Sequence, residues 1–311
     1  MKQFFKALVI FGIPILIITL VFEVYLRTMN TDYKQKLEGF IENYKNIEVL
    51  ILGNSHAYNG IDPRQFDLVT YNMAASNQSL YFDKRITLKH FDELSSLKYV
   101  LISSDYHSFY FSSQGIRDTW LYYDYNIKYK EKTEFWSNIS YFWFGYTPRI
   151  AVSVVKDKVL SIKYSTDGDD EVINGWIPNS STDLNAFTET SLKKKAKWFN
   201  TEVQNSNERK SIITDLDNFI NELKERGIIP VLYTLPMYNQ IYQYLDSSYT
   251  KQNKEDISFL IKKHNIQYID LSKDTLSLNK FFFKDMDHLN SKGAELVSKK
   301  INNSILEIKE E

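Results

Sequence analysis

The chain has 311 residues, 43% of them hydrophobic and 15% aromatic, with a formal net charge of −1. That length and apolar content suffice for a sizeable core, and the near-neutral charge gives no footprint for nucleic acid. The complete lack of cysteine excludes disulfides, Cys-ligated zinc and cysteine nucleophiles, and leaves the redox compartment open.

Residues 4–26 are almost continuously apolar, interrupted by Lys6 and Glu23 near the ends and by Gly12 and Pro14, which membrane helices tolerate. No small-residue cleavage pattern follows, so residues 1–30 are expected to be an uncleaved transmembrane anchor rather than a signal peptide. Lys2 and Lys6 on one side are matched by Arg27, Lys34 and Lys36 on the other, so charge counting is nearly silent on orientation. Within residues 31–47, Leu37, Phe40, Ile41 and Tyr44 recur at helical spacing. This predicts a short juxtamembrane helix, packed on the domain that follows or lying near the membrane.

From there strands and helices alternate. Residues 49–52, 68–71, 99–102, 228–233 and 266–270 read as strands. Helices are predicted over residues 79–94, over the periodic run Ile212, Ile213, Leu216, Phe219, Ile220 and Leu223 before Gly227, and over a closing segment marked by Ala294, Val297, Ile301 and Ile305. Alternation of this kind implies a parallel sheet covered on both faces, a three-layer α/β/α arrangement. Residues 106–210 break the rhythm. This stretch is rich in Tyr, Phe and Trp, including Trp120, Trp136, Trp143, Trp176 and Trp198, and reads as an insertion within a domain spanning residues 48–308. Leaving the sheet at the carboxyl end of the third strand, it is expected to rise over the ligand-binding edge as a lid or substrate wall. Most of its aromatics are expected to form its own core, with one or two left to stack on a sugar ring. The run Lys193-Lys194-Lys195-Ala196-Lys197 reads as a solvated helical face.

Two short segments carry the chemistry. Val49-Leu50-Ile51-Leu52 empties into Gly53-Asn54-Ser55-His56, which places Ser55 at the carboxyl end of a strand, the edge where open α/β sheets bind ligands. Ser55 or Asn54 could equally serve only as a helix N-cap. The second segment, Asp285-Met286-Asp287-His288, supplies what a serine nucleophile needs: a general base in His288 and an orienting carboxylate in Asp285. Asp287 is the rival orienter, disfavoured because adjacent side chains seldom face one another.

Gly53-Asn54-Ser55 after the first strand, with Asp285-x-x-His288 before the last helix, resembles the SGNH (GDSL-like) hydrolase superfamily. The likeness covers residues 48–105 and 210–308. With the amino-terminal anchor it is greatest to the membrane-anchored surface-glycan branch, which includes the O-acetylation proteins of alginate and peptidoglycan and the D-alanine transfer protein of teichoic acids. The resemblance implies a flavodoxin-like SGNH fold and a Ser55, His288, Asp285 triad. It also implies an oxyanion hole from the Ser55 N–H, a glycine after the second strand and an asparagine after the third. The sequence departs from this at two places. Asn77 stands where the glycine is expected, a tolerable exchange because asparagine adopts a left-handed backbone readily. Ser103-Ser104-Asp105-Tyr106-His107 lacks the asparagine, and an ionised Asp105 would repel an oxyanion. Asn54, His56, Asn77, Asp105 and His107 are candidate oxyanion or substrate-binding residues: either Asn77 supplies a side-chain amide to the oxyanion or Asp105 binds a sugar hydroxyl, and His56 and His107, each just past a strand's carboxyl end, could equally be structural histidines.

A metal site from His56, His107, Asp105 and Asp285 has chemically suitable donors, but no close-spaced ligand motif supports it, and neither metal nor organic cofactor is expected. The reading is a membrane-anchored serine esterase or O-acyltransferase acting on ester groups, acetyl by expectation, of a cell-surface glycan. Its catalytic domain is expected outside the cell. A transferase there lacks acyl-CoA, so the resemblance implies a membrane-bound acyltransferase partner. The alternative from another class is a non-catalytic glycan-binding or assembly subunit with the same fold.

Overall fold

The computed structural model describes residues 1–28, 32–112, 125–127, 172–205 and 207–308. The predicted aromatic positions within 113–124 and 128–171, Trp120, Trp136 and Trp143 among them, lie outside the described residues. Two units are distinguished along the chain, Gln35–Gln114 with Asp170–Glu311 and Met1–Lys34 with Gly115–Asp169. The described part of the second includes α1 (Lys2–Thr28), an apolar helix long enough to cross a bilayer.

The first unit is built on five parallel strands, β1 (Val49–Ile51), β2 (Thr70–Asn72), β3 (Tyr99–Ser103), β4 (Ile229–Thr234) and β5 (Gln267–Asp270), in the order β2-β1-β3-β4-β5. All neighbouring pairs run parallel. This is the flavodoxin-like order, whose ligand edge is the carboxyl end of the strands. The α/β fold class with a parallel sheet expected from the sequence is the one found.

Strand alternation divides the core. Val49, Ile51, Tyr99, Leu101, Val231 and Tyr233 share one cluster with α3 (Ser55–Gly60) and α8 (Ser291–Leu306), through Ala57, Tyr58, Val297, Ile301 and Ile305. Their strand neighbours Leu50, Val100, Ile102 and Leu232 point the other way and are equally buried. Besides α3, the described helices between the strands are α4 (Leu80–Lys89), α5 (Glu189–Asn205), α6 (Arg209–Glu225) and α7 (Ser247–His264). The periodic run ahead of Gly227 becomes α6, which buries Ile212, Leu216, Phe219, Ile220 and Leu223 as one stripe. α7 ends on Asn265 in the left-handed conformation at φ 51°, a C-cap that asparagine tolerates.

Three local readings shift. Strand β2 begins at Thr70 rather than at 68, where pairing with Val49 starts and the Val69 carbonyl accepts from the N–H groups of Glu48 and Val49. Helix α4 stops at Lys89, where His90 N–H turns back to the Thr87 carbonyl in a tightened last turn. In α2 (Asp32–Asn43) the buried face runs through Lys36 and Phe40, while Ile41 is exposed and Leu37 half-buried. Lys36 is fully buried because its ammonium donates to the Ala74 carbonyl and lies 4.9 Å from the Tyr58 ring centroid. A hydropathy count assigns such a lysine to solvent.

Candidate active site

Ser55 is placed by a turn with little freedom. β1 runs into Gly53 at φ +142°, a backbone that side-chain-bearing residues rarely adopt. A Cβ there would meet Ser103 Cβ at 2.7 Å and Tyr233 Oη at 2.8 Å. Gly53 N–H donates to Asp83 Oδ1 (3.2 Å) and its carbonyl accepts from Ala75 N–H (3.1 Å). Asn54 is the N-cap of α3, its Oδ1 accepting from His56 N–H at 2.9 Å, and Ser55 is the first helical residue. The capping job is thus done by Asn54, and the Ser55 hydroxyl is left for another partner.

That partner comes from the other end of the chain. Residues 283–289 form a tight loop, closed by the Phe283 to Leu289 bridge and by Lys284 N–H donating to the His288 carbonyl (2.8 Å). Asn290 caps α8 by accepting from Lys292 and Gly293 N–H. α8 packs on α3, with Ser298 Oγ accepting from Asp62 N–H (2.8 Å) and Leu289 lying against Gly60, where even a methyl group would be tight. His288 Nε2 consequently sits 2.9 Å from Ser55 Oγ. On the far side of the ring Nδ1 is 2.9 Å from Asp285 Oδ1 and 3.0 Å from Oδ2. Asp285 Oδ1 also accepts from the backbone N–H groups of Asp287 (3.0 Å) and His288 (2.9 Å), which fixes the carboxylate against its own turn. A hydroxyl, an imidazole and a carboxylate in this sequence of contacts have the arrangement that a serine nucleophile, its base and an orienting carboxylate require.

The other candidate residues occupy a ring around this line. Asn77 is half-buried at φ 65°, in the left-handed region that a glycine would also fill. Because α3 starts at Ser55 and Asn54 Oδ1 takes the His56 N–H, the Ser55 N–H lies outside the helical ladder, as an oxyanion donor must. Asp105, 1% exposed, accepts from Ser103 Oγ (2.7 Å) and Leu235 N–H (3.2 Å) and lies 3.3 Å from His56 Nδ1. His56 Nε2 is in turn 3.7 Å from Asp287 Oδ2, and that oxygen is 2.8 Å from Lys195 Nζ on α5. His107 stacks between Phe111 and Phe199 and meets His56 edge-on at 5.1 Å.

These groups carry perturbed charge. Burial alone would hold His56 neutral, yet the carboxylates of Asp105 and Asp287 outweigh it and push the His56 pKa up to about 9. Burial works against both carboxylates as well, and the surrounding cations still hold Asp105 below and Asp287 well below the usual carboxylate range. His107, desolvated and facing the His56 charge, is pushed down to about 3 and is neutral. Asp83 behaves oppositely. Its burial raises the carboxyl to about 7 against the opposing bonds from Gln78 and Gly53.

The donor atoms of His56, Asp287 and His288 lie within 4.8 Å of one another, close enough to share a cation. Lys195 already supplies positive charge to Asp287 there, and both His288 nitrogens face protein partners. A cavity of about 1170 Å³ opens at the carboxyl ends of β3, β4 and β5. His56 and Asp105 line it, while Ser55 and His288 do not.

Residues 182–305 match the family model of the DltD protein. That stretch holds α5 through α8 and both Asp285 and His288; Ser55 lies outside it. Similar solved structures include an acylhydrolase from Bacteroides fragilis NCTC 9343 (11% identity, TM-score 0.42, covering 87% of this chain and 95% of that one). Others are a lipolytic protein of the G-D-S-L family from Desulfitobacterium hafniense DCB-2 (12%, 0.39, 83% and 99%) and the acetylxylan esterase Axe2 from Geobacillus stearothermophilus (10%, 0.35, 86% and 98%). No curated protein matches the chain.

Three residues that matter to the site escape a reading of the sequence alone. Asp83 is one carboxylate in a helix, between Phe82 and Lys84, and nothing in its neighbourhood marks it as the acceptor for Gly53. Lys195 belongs to a lysine run of which Lys193, Lys194 and Lys197 are indeed solvated, while Lys195 turns inward. Asp287, read only as a rival orienter, is the centre of the buried charge cluster.

Proposed function

We propose that this protein is an SGNH-like serine acyltransferase or esterase that carries an acyl group on Ser55 and acts on a cell-surface glycan. The contact of Ser55 Oγ with His288 Nε2 at 2.9 Å, continued by His288 Nδ1 to Asp285, carries the reading. In the first step Ser55 Oγ attacks the donor carbonyl and its proton passes to His288 Nε2, while Asp285 steadies the imidazolium. Collapse of the tetrahedral species breaks the bond to the leaving group, which takes the proton from His288. The Ser55 N–H and the left-handed turn at Asn77 are the donors offered to the oxyanion. A sugar or polyol hydroxyl, deprotonated by His288, then resolves the acyl-enzyme in a transferase; water does so in an esterase.

The DltD match directs the acyl group toward D-alanyl and the acceptor toward teichoic acid, in place of the acetyl group expected from the sequence. The apolar helix α1 is read as an anchor, with the catalytic unit outside the membrane and a membrane-bound acyltransferase as the partner that delivers the acyl group.

The test is fluorophosphonate labelling of the full chain in detergent, beside release of D-alanine and of acetate from matched D-alanyl and acetyl esters. Labelling that vanishes in Ser55→Ala, with preference for the D-alanyl ester, supports the proposal. A folded protein that neither labels nor cleaves either ester overturns it.

A further inference from the structure

His288 touches two carboxylates. Asp285 lies 2.9 Å from its Nδ1, and Asp287 Oδ1 lies 3.7 Å from the same atom. Asp287 is 3% exposed and belongs to a buried string of alternating charge, Asp105, His56, Asp287 and Lys195, in which the successive separations are 3.3, 3.7 and 2.8 Å. Two carboxylates and two cations balance. Lys195 is the only member of that string from α5, and its ammonium also lies 4.9 Å from the ring centroids of Trp198 and Phe199, which hold the stem in place.

We propose that Lys195 is a positioning residue for the acyl chemistry: its ammonium neutralises Asp287, so that Asp285 alone among the nearby described carboxylates acts on His288 without a cation of its own. The inference rests on the acyl-enzyme reading of Ser55 and adds the element that governs its base. The groups facing His288 are Asp285 and Asp287 from its own loop, Ser55 and His56 from α3, and, behind them, Asp105 and His107 from the loop after β3 and Lys195 from α5. With Lys195 discharged, Asp287 becomes a second uncompensated negative charge near the ring and favours the imidazolium, the form that cannot accept the Ser55 proton. The elevated His56 pKa fits this balance, since His56 supplies the other positive charge at neutral pH. α5 thereby acts on the reacting centre through one ion pair without touching the serine.

The experiment compares full-length wild type with Lys195→Met, Lys195→Arg, Asp287→Asn and the Lys195→Met/Asp287→Asn double variant in detergent. Two readouts are taken against pH: the fluorophosphonate labelling rate, and the NMR titration of isotope-labelled histidines with His288→Gln for assignment. Lys195→Met is expected to move the acid limb and the His288 midpoint upward by about one pH unit, slowing labelling roughly tenfold at mildly acidic pH. Asp287→Asn moves both downward, Lys195→Arg stays near wild type, and the double variant returns to within a few tenths of a unit of wild type. A purely structural lysine gives slower labelling with no such opposed shifts, and that result, or identical midpoints throughout, overturns the proposal. If wild type does not label at all, the acyl-enzyme reading falls, while the histidine titration still decides the role of Lys195.

Discussion

Ser55 Oγ and His288 Nε2 lie 2.9 Å apart although 233 positions separate them in the chain. The approach depends on α3 packing at Gly60 against Leu289, just ahead of α8, so Ser55 and His288 are joined by core contacts and not by local sequence. The base is itself held from below by Asp285, three residues earlier.

Removing Asp285 tests that hold. Asp285→Asn leaves a group of the same size that can no longer stabilise the imidazolium, and its NH₂ can force the wrong ring tautomer. The labelling rate is expected to fall by about 10³- to 10⁴-fold with little change in melting temperature. Asp287→Asn, by contrast, is expected to retain most of the rate near neutral pH. Equal losses in the two variants would show that the carboxylates share the orienting role.

Gly53 is the second test. Its φ of +142° and the 2.7 Å approach of Ser103 Cβ leave no place for a side chain. Gly53→Ala is expected to cost about 2–4 kcal/mol and to displace Ser55 from His288. Chemical denaturation and probe labelling should therefore fail together. A stable, fully labelled Gly53→Ala protein would mean that the turn adjusts without cost.

Asp83 gives a pH signature. Its folded pKa of about 7 exceeds the ordinary carboxylate value, so its contribution to stability is present at low pH and is lost as pH rises through 7. The loss between pH 4 and pH 8 is on the order of 4 kcal/mol. Asp83→Asn keeps an oxygen to accept from Gly53 N–H and Gln78 Nε2 while removing the titration. Its stability should vary less than wild type over that window, and the difference between the two curves isolates Asp83 from His56, which titrates higher. Parallel curves would refute the assignment.

The turn at Asn174 and Gly175 supports the site from outside. Both residues have positive φ, 48° and 80°, and an added Cβ on Gly175 would collide with the Asn72 carbonyl. The turn seats Trp176, fully buried with Nε1 donating to the Asn59 carbonyl at 3.0 Å, and lets the Asn174 carbonyl accept from Asn72 N–H. Gly175→Ala should destabilise the protein by about 2–4 kcal/mol, read as a lower melting temperature. Asn174→Ala should cost less, because only its own left-handed backbone is strained. Equal and negligible effects would show the turn to be a bystander.

The sequence by itself determined the sheet and singled out the groups proposed to react. Buried parallel strands announce themselves as short apolar runs such as Val49-Leu50-Ile51, and the Gly53-Asn54-Ser55 and Asp285-x-x-His288 segments are local patterns that a linear reading can find. Only the tertiary structure decided the charge around them. Lys36 and Lys195 look like solvated lysines until their particular acceptors, the Ala74 carbonyl and Asp287, are in place. Asp83, Asp105, His56 and Asp287 take their protonation from burial and from neighbours far away in the chain. Hydrophobic periodicity is a property of neighbouring residues and survives in one dimension, whereas desolvation and Coulomb interaction depend on distances that exist only after folding.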